Sequence, residues 1–303
     1  MKFDVTILGC GSATPTLRHN PTAQLVNHDE HYFLLDCGEG AQLQLRRFKL
    51  KFQRINHIFI THLHGDHYFG LPGLLSTMHL LGRTTDIHIY CKADLQRAMD
   101  MQLKISGSWL RFNVIWHPLS FEGREVIFES SRLIIESFPL KHRIPACGFR
   151  ISEKEKQRNI IPEMVKKYNI PIPRIRQIKA GADYKLEDGT VIENKALTKD
   201  PPKPKSYAYC TDTAYMPETA GNVENADLLY HEATFLDADS ARAKETLHST
   251  AADAARVAVE GKVGKLMLGH YSARYSEIQH FADEAQRIFP NTVLADEGLT
   301  VSV

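Results

Sequence analysis

The stretch Phe59-Ile60-Thr61-His62-Leu63-His64-Gly65-Asp66-His67 puts four metal-capable side chains, His62, His64, Asp66 and His67, within six residues. Neutral imidazole nitrogen and carboxylate oxygen are the usual catalytic donors to a borderline-soft divalent ion such as zinc. Gly65 permits the tight turn that gathers such groups around one point. The plainer reading is a polar turn that happens to be rich in histidine, and context weighs against it. Ile58, Phe59 and Ile60 read as a buried strand before the loop, and residues 70–81 read as an apolar helix after it. Further possible ligands or acids follow strand-like apolar runs at Lys141-His142, Asp212, His231-Glu232 and His270. Each alone is an ordinary turn former. Together with the histidine loop they point to catalytic groups held at one end of a rigid sheet.

The elements that must position them are read from periodicity. Residues 3–8 alternate as a strand, and residues 15–21, bounded by Pro15 and Pro21, form a loop. A strand at 32–35 closes at Asp36-Cys37-Gly38-Glu39-Gly40, and a helix follows with apolar spacing through Leu43 and Leu45 to Phe48. Residues 87–90, 112–116, 125–128 and 133–138 read as strands, and 93–105 as a helix. The second half carries strands ending at Asp212, His231 and His270, then helices at about 250–260 and 276–289, the first with a Thr250/Asp253 capping pair. Between the halves, residues 152–204 fit neither pattern: prolines interrupt any long helix, and Leu186-Glu187-Asp188-Gly189-Thr190-Val191 suggests a small hairpin.

A length of 303 residues allows two average domains or one large α/β unit. No apolar run approaches the roughly 20 residues that cross a bilayer, and the first residues read as a strand rather than a signal peptide, so no membrane partner is expected. Cys10, Cys37, Cys91, Cys147 and Cys210 are scattered and mostly beside apolar strand residues, which argues for reduced core thiols and a cytoplasmic protein. The net charge of +1 hides an asymmetry, because residues 150–205 hold 14 basic against 8 acidic side chains and the remainder 23 against 28. A basic segment on an acidic body points to a local polyanion contact.

The pattern His62-x-His64-x-Asp66-His67 resembles that of the metallo-β-lactamase-fold hydrolases. That resemblance implies an α/β chain, a four-layer αββα sandwich over residues 1–303, with a two-metal centre. Three further stretches, His231-Glu232-Ala233-Thr234, His248-Ser249-Thr250 and Tyr271-Ser272-Ala273-Arg274-Tyr275, look like signatures of the ribonuclease Z family, which removes the 3′ trailer of precursor tRNA. The resemblance covers nearly the whole chain. It implies that His62, His64 and His142 hold one zinc ion, that Asp66, His67 and His270 hold a second, and that Asp212 bridges them, with manganese an alternative metal. Asp66 would then take part in catalysis, His248 supported by Glu232 would protonate the leaving 3′-oxygen, and Arg274 would clamp a phosphate.

By the same resemblance residues 152–204 are an inserted, protruding tRNA-binding arm, with Lys154, Lys156, Arg158, Lys166, Lys167, Arg174, Arg176 and Lys179 as substrate-binding cations. Family members are homodimers in which one subunit's arm covers the tRNA bound by the other; precursor tRNA is the implied partner and DNA is not. Two departures stand out: Leu17 and His19 occupy positions that are often Lys and Arg in the family, and the arm's tip reads Ile170-Pro171-Ile172-Pro173-Arg174 rather than Gly-Pro-rich. A small-molecule metallohydrolase of the same fold, a thioesterase or lactonase, is the rival reading, and a non-catalytic RNA-binding module is a third. The basic segment speaks against the first and the complete donor set against the second.

Overall fold

The computed structural model describes residues 2–303. These divide into two compact units, one of residues 2–128, 135–151 and 205–303, the other of residues 129–134 and 152–204. In the first unit, strands Phe3–Gly9, Ala23–His28, His31–Leu35, Ile55–Phe59, Ile87–Cys91, Val114–Pro118 and Thr300–Ser302 form a seven-stranded sheet. A second seven-stranded sheet runs in the order Thr292–Leu294, Leu266–Gly269, Leu228–Glu232, Ser206–Cys210, Ala146–Glu153, Leu133–Leu140, Glu125–Glu129. Side-chain alternation sorts the layers. Leu34, Ile58, Ile60, Ile87 and Ile89 pack with Ala41, Leu45, Leu74, Leu75, Leu95 and Met99 of the flanking helices Ala41–Arg47, Leu71–Leu80 and Asp94–Ile105. Phe59 points the other way and meets Phe149 of the second sheet edge to face, with ring centres 5.5 Å apart. Helix Ala251–Glu260 lies against the second sheet and buries five of its alanines, Ala251, Ala252, Ala254, Ala255 and Ala258. Its Thr250/Asp253 pair forms the reciprocal capping box that the spacing predicts.

Sequence and structure part in identifiable places. Ala23–His28 is a fully buried strand inside a stretch that reads as polar. Gln24 and Asn27 find partners in the interior, since Tyr207 donates to Gln24 and Asn27 donates to the Tyr32 hydroxyl, so the hydropathy pattern conceals the strand. In helix Ala41–Arg47 the buried residues are Ala41, Gln44 and Leu45, and Leu43 is exposed, because Gln44 turns inward to donate to the Leu8 carbonyl. All five cysteines are free and buried.

The second unit has an apolar cluster of its own, Ile170, Ile178 and Leu197 with Ile160, Met164, Val165, Tyr168, Ile175, Tyr184 and Ile192 around them. Its prolines start helices as well as interrupt them. Pro162–Lys167 and Ile172–Lys179 each carry a proline in the first turn, where a missing N–H costs nothing. The small hairpin pairs Tyr184–Lys185 with Val191–Ile192 across the Asp188-Gly189 turn.

Candidate metal centre

The strand Ile55–Phe59 ends where its chain turns back over Gly38 and Gly70, and both glycines are there for clearance. A side chain on Gly38 would meet the Asp66 carbonyl at 2.5 Å, and one on Gly70 would meet the Gly38 carbonyl at 2.1 Å. That close approach seats the short helix Gly65–Tyr68 with Asp66 and His67 beside Asp36. The other donors arrive from the second sheet: His142 after Leu133–Leu140, Asp212 after Ser206–Cys210, His270 after Leu266–Gly269. Asp212 (φ 45°) and His270 (φ 63°) turn inward through the left-handed region, as do Asp36 (φ 54°) and Leu247 (φ 57°). Non-glycine residues rarely adopt that conformation, and here it bends the chain after three strands and, at Leu247, after the helix Ser240–Thr246.

Seven side chains converge in two groups that share Asp212: His62, His64, His142 and Asp212; and Asp66, His67, Asp212 and His270. In the first, His62 Nε2 and His142 Nε2 lie 3.0 and 3.1 Å from His64 Nδ1, and 3.7 and 3.6 Å from Asp212 Oδ2. In the second, His67 Nε2 is 3.4 Å from Asp66 Oδ2 and 3.1 Å from Asp212 Oδ1, and His270 Nε2 is 3.7 and 3.1 Å from the same two atoms. Donors about 2.0–2.1 Å from a tetrahedral ion stand roughly 3.3 Å from one another, so both groups have the right edge length for a zinc-sized cation. His67 Nε2 and His270 Nε2 are buried without a hydrogen-bond partner, which is costly unless a cation takes their lone pairs.

The far ring nitrogens of four of the five histidines are occupied, and this sets their tautomers. His67 Nδ1 donates to Asp36 Oδ2 at 2.9 Å, His62 Nδ1 to the Thr61 hydroxyl at 3.1 Å, His142 Nδ1 to the Leu247 carbonyl at 3.1 Å and His270 Nδ1 to the Thr234 hydroxyl at 2.9 Å. Each Nε2 is thereby left as an acceptor facing the centre. Burial lowers the pKa of His62, His64 and His142, which keeps them neutral. At His67 burial opposes the charged form, yet Asp212, Asp36 and Asp66 raise its pKa well above the ordinary value, a measure of the negative charge concentrated there.

Two buried carboxylates anchor the arrangement. Asp36 accepts from Thr61 N at 2.8 Å, from the Thr61 hydroxyl at 3.0 Å, from His67 and from the Tyr209 hydroxyl at 2.9 Å. Glu232 accepts from Thr213 N at 2.8 Å, Thr234 N at 3.0 Å, the Thr234 hydroxyl at 2.6 Å and His248 Nδ1 at 2.7 Å. Burial disfavours the His248 imidazolium, but the Glu232 carboxylate outweighs it and the pKa is raised to about 9. Sequence reasoning passed over Asp36, Thr61 and Thr234 as site residues. The only local signal is that Asp36 directly follows a strand, the position that also marks Asp212 as a candidate.

A cavity of about 580 Å³ opens on the centre and includes Arg143, Arg242, His248 and Arg274 in its wall. Arg274 is 3.6 Å from Asp239 and its guanidinium lies over the Phe235 ring at 4.9 Å, so it is paired and still faces the cavity. The remaining predicted residues all belong to the second unit. Three of them are engaged there by carboxylates, Lys154 with Glu129, Lys156 with Glu153 and Arg158 with Asp200. Lys167 lies 5.1 Å from the Tyr168 ring centre, Arg174 donates to Gln177, Lys166 and Arg176 are exposed, and Lys179 is half-buried.

Residues 3–146 match the family described as Anti-Pycsar protein Apyc1, and residues 189–271 the Beta-lactamase superfamily domain. Ribonuclease Z of Phocaeicola vulgatus is 49% identical over 302 residues, covering 100% of this chain and 98% of that protein. Ribonuclease Z of Porphyromonas gingivalis is 42% identical, covering 99% of each. Among solved structures, the short form of human tRNase Z matches with a TM-score of 0.72 and 29% identity over 99% of both chains. The metallo-beta-lactamase fold protein YhfI from Bacillus subtilis matches with a TM-score of 0.70 at 18% identity over the full length of both, a likeness of fold.

Proposed function

The chain belongs to the ribonuclease Z family of metal-dependent tRNA 3′-endonucleases on the metallo-β-lactamase fold, and we propose that its seven converging donors hold two zinc ions that it uses to release the trailer as a 5′-phosphate and the tRNA as a 3′-hydroxyl. The observation that carries this reading is the pair of donor groups, each with four edges of 3.0–3.7 Å and joined through the two oxygens of Asp212. A pair of such cations supplies a water nucleophile that is deprotonated near neutral pH and charge stabilisation at the attacking and leaving oxygens of an in-line displacement at phosphorus.

The protein's own groups do the rest. Asp66 Oδ2 and Asp212 Oδ1 face the same side of the centre as His67 and His270 and orient the attacking water. His248 carries a proton on Nδ1 that Glu232 holds at 2.7 Å, and the raised pKa keeps the second nitrogen protonated at neutral pH. That nitrogen donates to the departing 3′-oxygen, a poor leaving group when unprotonated. Arg274, held over Phe235, contacts a phosphate from the cavity wall.

Residues 152–204 serve as the tRNA-binding arm, supported by their own apolar cluster and by the exposed Lys166, Lys167, Arg174 and Arg176. The enzyme works as a homodimer; exposed Leu80, Leu81, Met101, Ile105 and Trp109, between 58% and 86% accessible, supply an apolar surface for a second copy. Free buried cysteines, and the absence among the described residues of a helix long and apolar enough to cross a membrane, support a cytoplasmic setting.

The direct test is cleavage of a precursor tRNA with and without a chelator, followed by end mapping, beside a panel of lactones and thioesters. A chelator-sensitive cut with a 3′-hydroxyl on the tRNA is expected. Turnover of the panel without cleavage of precursor would overturn the assignment.

A further inference from the structure

Most side chains that line the cavity over the metal centre are polar or charged, three of them arginines, which makes an exposed phenylalanine there conspicuous. Two phenylalanines line it, Phe69 and Phe235. Phe235 is 4% accessible, and Arg274 covers its ring. Phe69 is 60% accessible, at the end of the same short helix that carries Asp66 and His67. An apolar ring of that size left in water beside three arginines costs free energy unless something lands on it.

Its placement is also constrained. The Phe69 ring occupies the space above Gly65, so that a side chain at that position would meet Phe69 Cε2 at 2.1 Å. Phe69 N–H donates to the Gly65 carbonyl at 2.8 Å, and the Tyr68 ring abuts Phe69 edge to face at 5.0 Å. One face is therefore seated on backbone and one edge on Tyr68, leaving a fixed, accessible surface next to Asp66. Arg143, Arg242 and Arg274 line the same cavity and provide contacts for the phosphates of a chain running past it. A flat apolar platform in a cationic channel is the combination that holds single-stranded nucleic acid, whose bases each present a π-face.

We propose that Phe69 is a stacking platform for a nucleobase next to the scissile phosphodiester, and that it holds the single-stranded 3′ end in register with the metal centre. This rests on the ribonuclease reading above and adds a substrate contact to it. Phe69 touches a base and no reacting atom.

The test compares wild type with Phe69→Ala, Phe69→Leu and Phe69→Tyr on three precursor tRNAs: one intact, one abasic just before the scissile phosphate and one abasic just after it. Metal content and thermal unfolding of each variant establish that the fold survives, and Phe69→Leu preserves bulk over Gly65 while removing the π-face. Stacking on one aromatic side chain is worth roughly 5- to 150-fold in binding. Phe69→Ala and Phe69→Leu are expected to lose kcat/KM in that range on the intact precursor, and Phe69→Tyr to retain most of it. On the abasic precursor that lacks the stacked base, the ratio of wild type to Phe69→Ala is expected to fall towards one, and the other abasic arm to preserve it. The side on which it collapses identifies the base. An unchanged ratio in both abasic arms, or equal activity of Phe69→Leu and wild type on the intact precursor, overturns the proposal. Failure of wild type itself to cleave any precursor overturns the ribonuclease reading, a different and separately visible result.

Discussion

Asp36→Asn isolates the part of the site that no ligand assignment mentions. Asp36 is fully buried and accepts from Thr61 N, the Thr61 hydroxyl, His67 Nδ1 and the Tyr209 hydroxyl. Removing the carboxyl altogether with alanine strands two of those donors, Thr61 N–H and His67 Nδ1–H. At about 1–3 kcal/mol for each buried unsatisfied group, the loss of roughly 2–6 kcal/mol is a large share of a domain's stability. Asparagine is the more informative change. Its carbonyl still accepts from Thr61 N, and Tyr209 can turn its hydroxyl to Thr22, 3.1 Å away. Its amide, however, now points a donor at the His67 Nδ1 proton. The ring escapes by moving that proton to Nε2, the atom that faces Asp66 and Asp212. His67 then loses its lone pair to the centre, and loss of an outer hydrogen-bond partner of this kind typically weakens metal affinity ~10–100-fold. His67 belongs to only one of the two donor groups. Chelator competition followed by elemental analysis should therefore show one ion lost early and the other retained, with a modest change in the unfolding temperature of the metal-free protein. Equal retention of both ions, with wild-type activity, would refute the argument that Asp36 sets the His67 tautomer.

The bridging role given to Asp212 predicts that Asp212→Ala loses metal stoichiometry and activity together, whereas Asp66→Ala loses activity and keeps at least one ion; full two-metal occupancy in Asp212→Ala by elemental analysis contradicts this. His248→Ala should keep its metals and its tRNA affinity but slow cleavage by ~10²–10⁴, with partial recovery on a substrate whose leaving oxygen is replaced by sulfur. A general acid works in its protonated form, so activity should fall as pH rises through the His248 pKa, raised to about 9 mainly by Glu232 against the cost of burial. Nearby cations pull that falling limb below 9, and Glu232→Gln should pull it lower still in a pH–rate profile; a limb that stays in place removes Glu232 from the role. Replacing residues 152–204 by a short Gly-Ser linker should weaken tRNA binding strongly and flatten its salt dependence while hydrolysis of a nitrophenyl phosphodiester persists. With Lys154, Lys156 and Arg158 already paired, the slope of log K against log salt should drop by roughly 3–4, about one unit for each of the four exposed cations Lys166, Lys167, Arg174 and Arg176.

What can be read along the chain is whatever depends on neighbours in sequence. Four donors within six residues after an apolar run, a polar residue at the end of each apolar strand, and Thr250 three residues before Asp253 are all local patterns, set by backbone geometry over a few residues. Through the family resemblance they carry, they imply the fold and the donor residues, and the Thr250/Asp253 spacing by itself predicts the helix cap. The unpredicted features are pairings between distant positions. Asp36 meets Thr61 25 residues on, His67 31 residues on and Tyr209 173 residues on. The strand Ala23–His28 hid for the same reason, since Gln24 looks solvent-facing until Tyr207, 183 residues away, is placed beside it. Charge behaves likewise. Eight cations in residues 154–179 read as one polyanion-binding surface, but the partners Glu129 and Asp200 lie outside that stretch, and only folding decides that three of the eight are already engaged. Residue type and spacing are properties of the chain, and hydrogen-bond partners, tautomers and free charges are properties of what packing brings within 3 or 4 Å, the distance over which those interactions act.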